Sequence, residues 1–159
     1  MAKERELFET TLMSVSEGIV LARASGEILI FNQGAQRITG YSKDEALGRT
    51  LQEVFKLIHI KSGKSAHADV IETLRSGKSI DMSTDYAITA KNGEQIRVSA
   101  SMSMMKAASG DDDRIIASFR DISKEYEHQK QIEGFLDVNL YMLCVGDLDG
   151  YFVKVNKKF

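Results

Sequence analysis

The residues whose types could carry chemistry are few. The chain has three His and one Cys in 159 residues. A single thiol makes no internal disulfide, and it denies zinc the paired thiolates of the usual structural sites. His67 opens a helical stretch, where a ring nitrogen could act as an axial metal ligand. The plainer reading is a solvent-facing histidine in a first helical turn. His59 carries less. So does His128, whose polar run Glu127-His128-Gln129-Lys130 lacks the flanks of a phosphoacceptor helix. Two Ser-Gly-Lys-Ser runs, at 62–65 and 76–79, look like the end of a phosphate-binding loop. That loop needs a further glycine five residues before its second one, and Ile58 and Glu72 stand there. Both runs read as plain loops. Asp111-Asp112-Asp113 reads as a solvated turn, because consecutive side chains on a hairpin point apart and no further acidic ligand is spaced to join them. Met102, Met104 and Met105 could adapt to an irregular ligand, though strand-borne core filler explains them. Cys144 falls on an apolar strand position, as a small core residue would. No Ser, His and acidic set matches a nucleophile motif, so the chain reads as a regulatory piece rather than an enzyme.

Composition narrows the class further. At 43% hydrophobic and 28% charged, the sequence suits a globular core and not a disordered chain. A formal net charge of −2 offers no field for a polyanion, which disfavours nucleic acid. The opening Lys3-Glu4-Arg5-Glu6 is followed by no apolar region of a secretory signal. No apolar run approaches the roughly 20 residues of a membrane span. The reading is a cytoplasmic module without membrane contact.

The elements that would position these residues follow from periodicity. Residues 3 to 17 carry Leu7, Phe8, Leu12 and Val15 at helical spacing. Two apolar runs, 19 to 22 and 28 to 31, flank a turn at Gly26 and predict a hairpin. Asn32 sits where a helix N-cap belongs. Ser42 with Glu45 and Thr50 with Glu53 form two capping boxes, so residues 33 to 57 predict three short helices in series. A longer helix covers 66 to 75. Three strands follow: 82 to 91, then 95 to 104 after the Asn92-Gly93 turn, then 114 to 122. Ile96, Val98, Ala100, Met102 and Met104 alternate with Gln95, Arg97, Ser99, Ser101 and Ser103. The polar set reads as solvent-facing, or as a surface for a dimer partner's helix. A charged helix begins at 123. Its four-and-three steps through Tyr126, Gln129, Glu133, Leu136, Leu140 and Leu143 give a weak coiled-coil signal.

An internal repeat closes the chain. Residues 143 to 156 align with 19 to 32 at one offset, Gly150 on Gly26 and Asn156 on Asn32. The expected organisation is a flanking helix at 1–17, a module at 18–122, a linker helix at 123–141 and the start of a second module at 142–159.

Five ordered pieces resemble a PAS domain. They are Gly18-Ile19-Val20, the run from Gly26 to Asn32, the run from Thr39 to Gly48, Asn92-Gly93 with its long strand, and Phe119-Arg120-Asp121-Ile122-Ser123. The resemblance covers about residues 7 to 125. It implies an α+β fold, a five-stranded antiparallel sheet with short helices on one face and flanking N- and C-terminal helices. It also implies a sensory role, in which a perceived ligand or partner is relayed by the C-terminal helix to an output domain of histidine-kinase or diguanylate-cyclase type. Arg120, Asp121 and Ser123 stand at the family's strand-to-helix transmission point, with Ser123 in place of the usual Thr.

The ligand stays open in this reading. Flavin–cysteinyl photochemistry is excluded, since no Cys precedes Cys144. Haem is disfavoured, because the residues around His67 do not match the haem-sensor pattern. No cofactor or metal is required. A ligand pocket would lie among Ile38, Tyr41, Leu47 and Phe55 of the short-helix region, Val70 and Leu74 of the longer helix, and Tyr86, Ile88, Val98, Ala100 and Met102 of the strands. The alternatives are a ligand-free dimerisation module with the pocket filled by its own side chains, and a haem or flavin sensor of redox state or gas. A homodimer through the flanking helices is expected in each case.

Overall fold

The computed structural model describes residues 16–107, 113–138 and 144–155. The helix expected before residue 16, the Asp111-Asp112 turn, and Leu140 and Leu143 of the heptad pattern lie outside the described residues. The chain divides into two compact units, Met1–Ile122 and Ser123–Phe159.

The first unit opens with β1 (Gly18–Arg23) and β2 (Ile28–Phe31), paired antiparallel with a bulge between Leu21 and Ala22. Arg23 N–H donates to Glu27 O at 2.8 Å and Gly26 N–H to Arg23 O at 2.8 Å. Gly26 takes φ 93°, a left-handed conformation that a Cβ would strain. Three short helices follow, α1 (Gln33–Thr39), α2 (Lys43–Ala46) and α3 (Leu51–Val54). Each starts where a polar side chain caps or faces it. Asn32 Oδ1 accepts from Ala35 N–H at 2.8 Å. Ser42 and Glu45 exchange bonds with each other's backbone N–H, and Thr50 N–H donates to Glu53 at 2.9 Å. The remaining elements are β3 (Lys56–His59), α4 (His67–Arg75), β4 (Ile80–Met82), β5 (Tyr86–Thr89), β6 (Gln95–Met105) and β7 (Arg114–Asp121).

The strands form one antiparallel seven-stranded sheet in the order β2-β1-β7-β6-β5-β3, with β4 also on β6. The α+β architecture stands, with two more strands than the five expected. The long strand at 82–91 is broken in two. Ser83, Thr84 and Asp85 leave the ladder there, and the Arg97 guanidinium donates to Thr84 O across the gap. The other addition is β3, where Leu57 pairs with Ile88 at the sheet edge. The short-helix region therefore holds its three helices and then runs directly into a strand.

The helices lie over one sheet face. Val98, Ala100 and Met102 of β6 are 0–4% exposed, and so are Ile115, Ala117 and Phe119 of β7. Alternation thus points their apolar set inward. Phe31 and Phe119 are fully buried; covering a side chain of that size stabilises by about 1.5–3 kcal/mol.

The second unit holds α5 (Ser123–Val138) and a hairpin of β8 (Cys144–Gly146) and β9 (Phe152–Val155). Cys144 is exposed rather than a core residue, because nothing among the described residues covers that hairpin. No helix among the described residues is long and apolar enough to cross a membrane.

Candidate functional site

The residues expected to line a ligand pocket divide into three groups. Phe55, Val70, Leu74 and Met102 converge on one interior point with Leu51, Leu57, His67, Ile71 and Ile115. Ile38, Tyr41, Ile88, Val98 and Ala100 are buried in the same core without reaching that point. Leu47 and Tyr86 lie elsewhere. Leu47 caps the C-terminal end of α2 and is 36% exposed, because the short helix turns its Ala46 inward instead. Tyr86 is half-buried at the sheet edge, where its ring meets His59 edge-on at 5.3 Å. Leu51, Leu57, Ile71 and Ile115 were not among the expected lining residues. Ile115 was legible in principle, since it shares the inward face of β7 with Ala117 and Phe119.

The interior point is nearly full. Its void measures about 10 Å³, at or below the roughly 10–15 Å³ that one water requires. Phe55, which lines it, is backed by Phe119 with ring centroids 4.6 Å apart. The side chains meeting there are large and apolar, so filling the void with themselves is the low-energy arrangement.

His67 is the one titratable group on this void. It is half-buried rather than solvent-facing, because α4 leans its first turn onto the core. Burial pushes its pKa down, favouring the neutral ring. A neutral imidazole is a competent haem ligand, yet the space beside it admits no macrocycle. Among the described residues, no group of three or more His, Cys, Asp or Glu comes together to hold a metal ion.

Asn32 is the buried polar residue that organises the entry to the fold. Its Oδ1 accepts from the N–H of Ile19 and of Ala35, both at 2.8 Å, and its Nδ2 donates to Glu17 O at 2.9 Å. One side chain thereby ties β1, the segment before it and α1 together. Full burial makes each of these bonds costly to lose.

The expected transmission residues sit at the end of β7. Asp121 is its last residue, opposite Val98, and Arg120 lies opposite Ser99. Ile122 alone separates the strand from α5, which Ser123 begins. Ile122 is buried, and its N–H donates to Arg97 O at 3.0 Å. The final backbone bond of the first unit is thus made one residue before the helix.

Known proteins carry the same arrangement. The family profile of the PAS domain matches residues 16–124. A PAS domain from Colwellia psychrerythraea superposes with a TM-score of 0.60 at 19% identity, covering 77% of this chain and 98% of that one. The PAS domain of nitrogen regulation protein NR(II) from Vibrio parahaemolyticus gives 0.57 at 15% identity, covering 73% and 98%. An RNA-binding light-oxygen-voltage receptor gives 0.65 at 18% identity; the match covers 85% of this chain and 38% of the receptor. The packed helical cover, the antiparallel sheet and the profile over most of the chain lead to one assignment: this chain belongs to the PAS domain family.

Proposed function

We propose that the chain is a signal-relay PAS module, not an enzyme, whose interior is filled by its own side chains. It passes a change in sheet position through the β7–α5 junction to an output domain of histidine-kinase or diguanylate-cyclase type. The observation that carries this reading is the junction itself. A strand bonded along its length to β1 and β6 runs into a helix through the single residue Ile122. A rigid strand joined so closely to a helix converts a shift of one into a reorientation of the other. Arg120, Asp121 and Ser123 set the helix entry. The closed interior supports a population shift between two packings, with no ligand beneath the short helices. The fold family and the likeness to the PAS domain of a nitrogen regulation protein support the sensory class. The flanking helices make the homodimer, and the exposed Ile132 and Phe135 of α5 supply apolar surface for it. The β8–β9 hairpin opens a second PAS domain in tandem, on the strength of its match to β1–β2.

The test is Asp121→Ala in the parent protein with its output domain. The exposed side chain is removable without unfolding the sheet, so the urea midpoint of the module stays within about 0.5 kcal/mol of the original. The output response to stimulus is lost. An unchanged response would remove Asp121 from the relay.

A further inference from the structure

The space that the interior lacks is found on the other side of α4. A cavity of about 580 Å³ opens between α4, the loop after β3, and strands β4 and β5. That volume is within the roughly 300–1,000 Å³ of small-molecule sites. Its chemistry is divided between two rims. The loop presents donors. Ser62 Oγ accepts from Lys64 N–H and Ser65 Oγ from His67 N–H, both at 3.3 Å, which leaves the two hydroxyl hydrogens to point outward beside the Lys64 ammonium. The helix presents only acceptors. Thr73 spends its hydroxyl hydrogen on Asp69 O at 2.8 Å, leaving its lone pairs beside the Asp69 carboxylate. Among the described residues, neither Lys64 Nζ nor the Asp69 carboxylate has an ion-pair partner.

Between the rims Val70, Ile80 and Met82 supply apolar surface, and Ser79 and the Asp81 carboxylate line the same cavity. The aromatic wall is His59 against Tyr86. His59 also holds the one buried side-chain nitrogen or oxygen without a hydrogen-bond partner among the described residues, its Nδ1.

We propose that this cavity binds a small amino-carboxylate, an aliphatic α-amino acid in its zwitterionic form. The carboxylate meets Lys64, Ser62 and Ser65; the ammonium meets Asp69 and Thr73; the aliphatic side chain covers Val70, Ile80 and Met82. Opposite charges held apart on one molecule match the unpaired charges of the two rims, whereas a simple amine or a simple acid satisfies only one. Val70 lines this cavity on one side and the interior void on the other, so a ligand here bears on α4 and through it on the core. α4 is suited to respond, since its N-cap is Ala66 and supplies no side-chain bond. The effect on output rests on the relay reading above; the binding does not.

The experiment is calorimetric titration of the whole chain with L-valine, L-leucine, L-isoleucine and L-methionine. 3-Methylbutan-1-amine and 4-methylpentanoate serve as the leucine analogues lacking one charge. The expected result is saturable binding of at least one amino acid, with each analogue about 10-fold weaker or more. Lys64→Ala weakens the amino acid about 10-fold and leaves the amine unaffected, and Asp69→Asn weakens it similarly and leaves the acid unaffected. Both side chains are solvent-facing, so the variants fold, as an unchanged melting profile verifies. Absence of saturable binding by all four amino acids overturns the proposal. So do analogues that bind as tightly as leucine, or affinities unmoved by both substitutions. None of these outcomes touches the Asp121→Ala test, which reads output and not binding.

Discussion

The hairpins β1–β2 and β8–β9 are built to one plan and meet opposite surroundings. Val20, Leu21 and Ala22 pair with Phe31, Ile30 and Ile28; Cys144, Val145 and Gly146 pair with Val155, Lys154 and Phe152. Each has a bulge after its second pair. Each turns on a glycine of positive φ, 93° at Gly26 and 88° at Gly150. Arg23 N–H donates to Glu27 O and Asp147 N–H to Tyr151 O, at 2.8 and 2.9 Å. Burial separates them. Ile28 and Phe31 are at most 1% exposed, whereas Phe152 and Val155 are 63% and 46% exposed. The turn, bulge and register are therefore properties of some fourteen residues of local sequence. What the first hairpin has and the second lacks among the described residues is a cover. α1 and the α2–α3 connection close over β2: Ile28 N–H donates to Arg49 O at 2.9 Å, Gly48 N–H to Ile28 O at 3.2 Å, and Leu51 N–H to Gly26 O at 2.8 Å.

The comparison breaks most completely where cover and hairpin touch backbone to backbone. A Cβ on Gly34 would stand 2.0 Å from Glu17 O and 2.9 Å from Gly18 N. Neither neighbour is a side chain that can swing away. Gly34→Ala is expected to lift α1 from β1 and cost about 4 kcal/mol, near the upper end of overpacking effects. Urea unfolding of the first unit measures it; a loss below about 1 kcal/mol would mean that the two backbones separate freely.

Matched truncations sharpen the comparison one step down. Ile28→Ala removes a side chain that is 1% exposed and is expected to cost about 3 kcal/mol. Phe152→Ala at the equivalent position removes a larger side chain and is expected to cost less than about 0.5 kcal/mol. Equal costs would show that the second hairpin is covered in solution. Asn32→Asp probes the link between hairpin and cover. The carboxylate keeps the bonds from Ile19 and Ala35 N–H but loses the donor to Glu17 O. Leaving that carbonyl facing an oxygen is expected to cost about 2 kcal/mol, read from the same unfolding curves.

Much of the first hairpin and its cover was legible in the sequence, because the signals are local. Gly26, the cap at Asn32 and the boxes at Ser42–Glu45 and Thr50–Glu53 each specify the backbone beside them. The alternation on β6 fixed its inward face for the same reason. The split between β4 and β5 was not legible. Ser83-Thr84-Asp85 is compatible with an edge strand, and contacts from elsewhere in the chain hold it as a turn, Arg97 on Thr84 O and Ile60 N–H on Asp85 O at 2.8 Å. The candidate site was the least legible part. Apolar spacing identifies residues that go inside, and most of those chosen are inside. It does not say how completely they fill the interior, which depends on rotamers of Phe55, Phe119 and Met102 chosen jointly. Nor does spacing reveal a cavity whose walls include Lys64, Asp69 and Thr73, polar residues that each look like ordinary surface.

The mildest perturbation is acid. Glu45 takes the backbone N–H of Ser42 and the Lys91 ammonium, and these hold its pKa at about 2 against an ordinary 4.5. The Lys91 hydrogen bond is the largest cause, followed by the bond from Ser42. A carboxyl with a depressed folded pKa contributes stability that is complete above its unfolded value and is lost as pH falls through the folded one. The contribution of Glu45 is thus present above pH 4.5 and drains away toward about pH 2. Because the pair lies at the surface, its effect is small and weakens with salt. It nevertheless acts on the cover alone, where α2 leads into the residues that close β2. Melting curves of the wild type and Glu45→Gln should differ by a constant amount above pH 4.5 and converge as pH approaches 2. Subtracting one from the other removes the titration of Glu53, which is also lowered. A difference that persists unchanged at pH 2 would assign the loss to side-chain packing rather than charge.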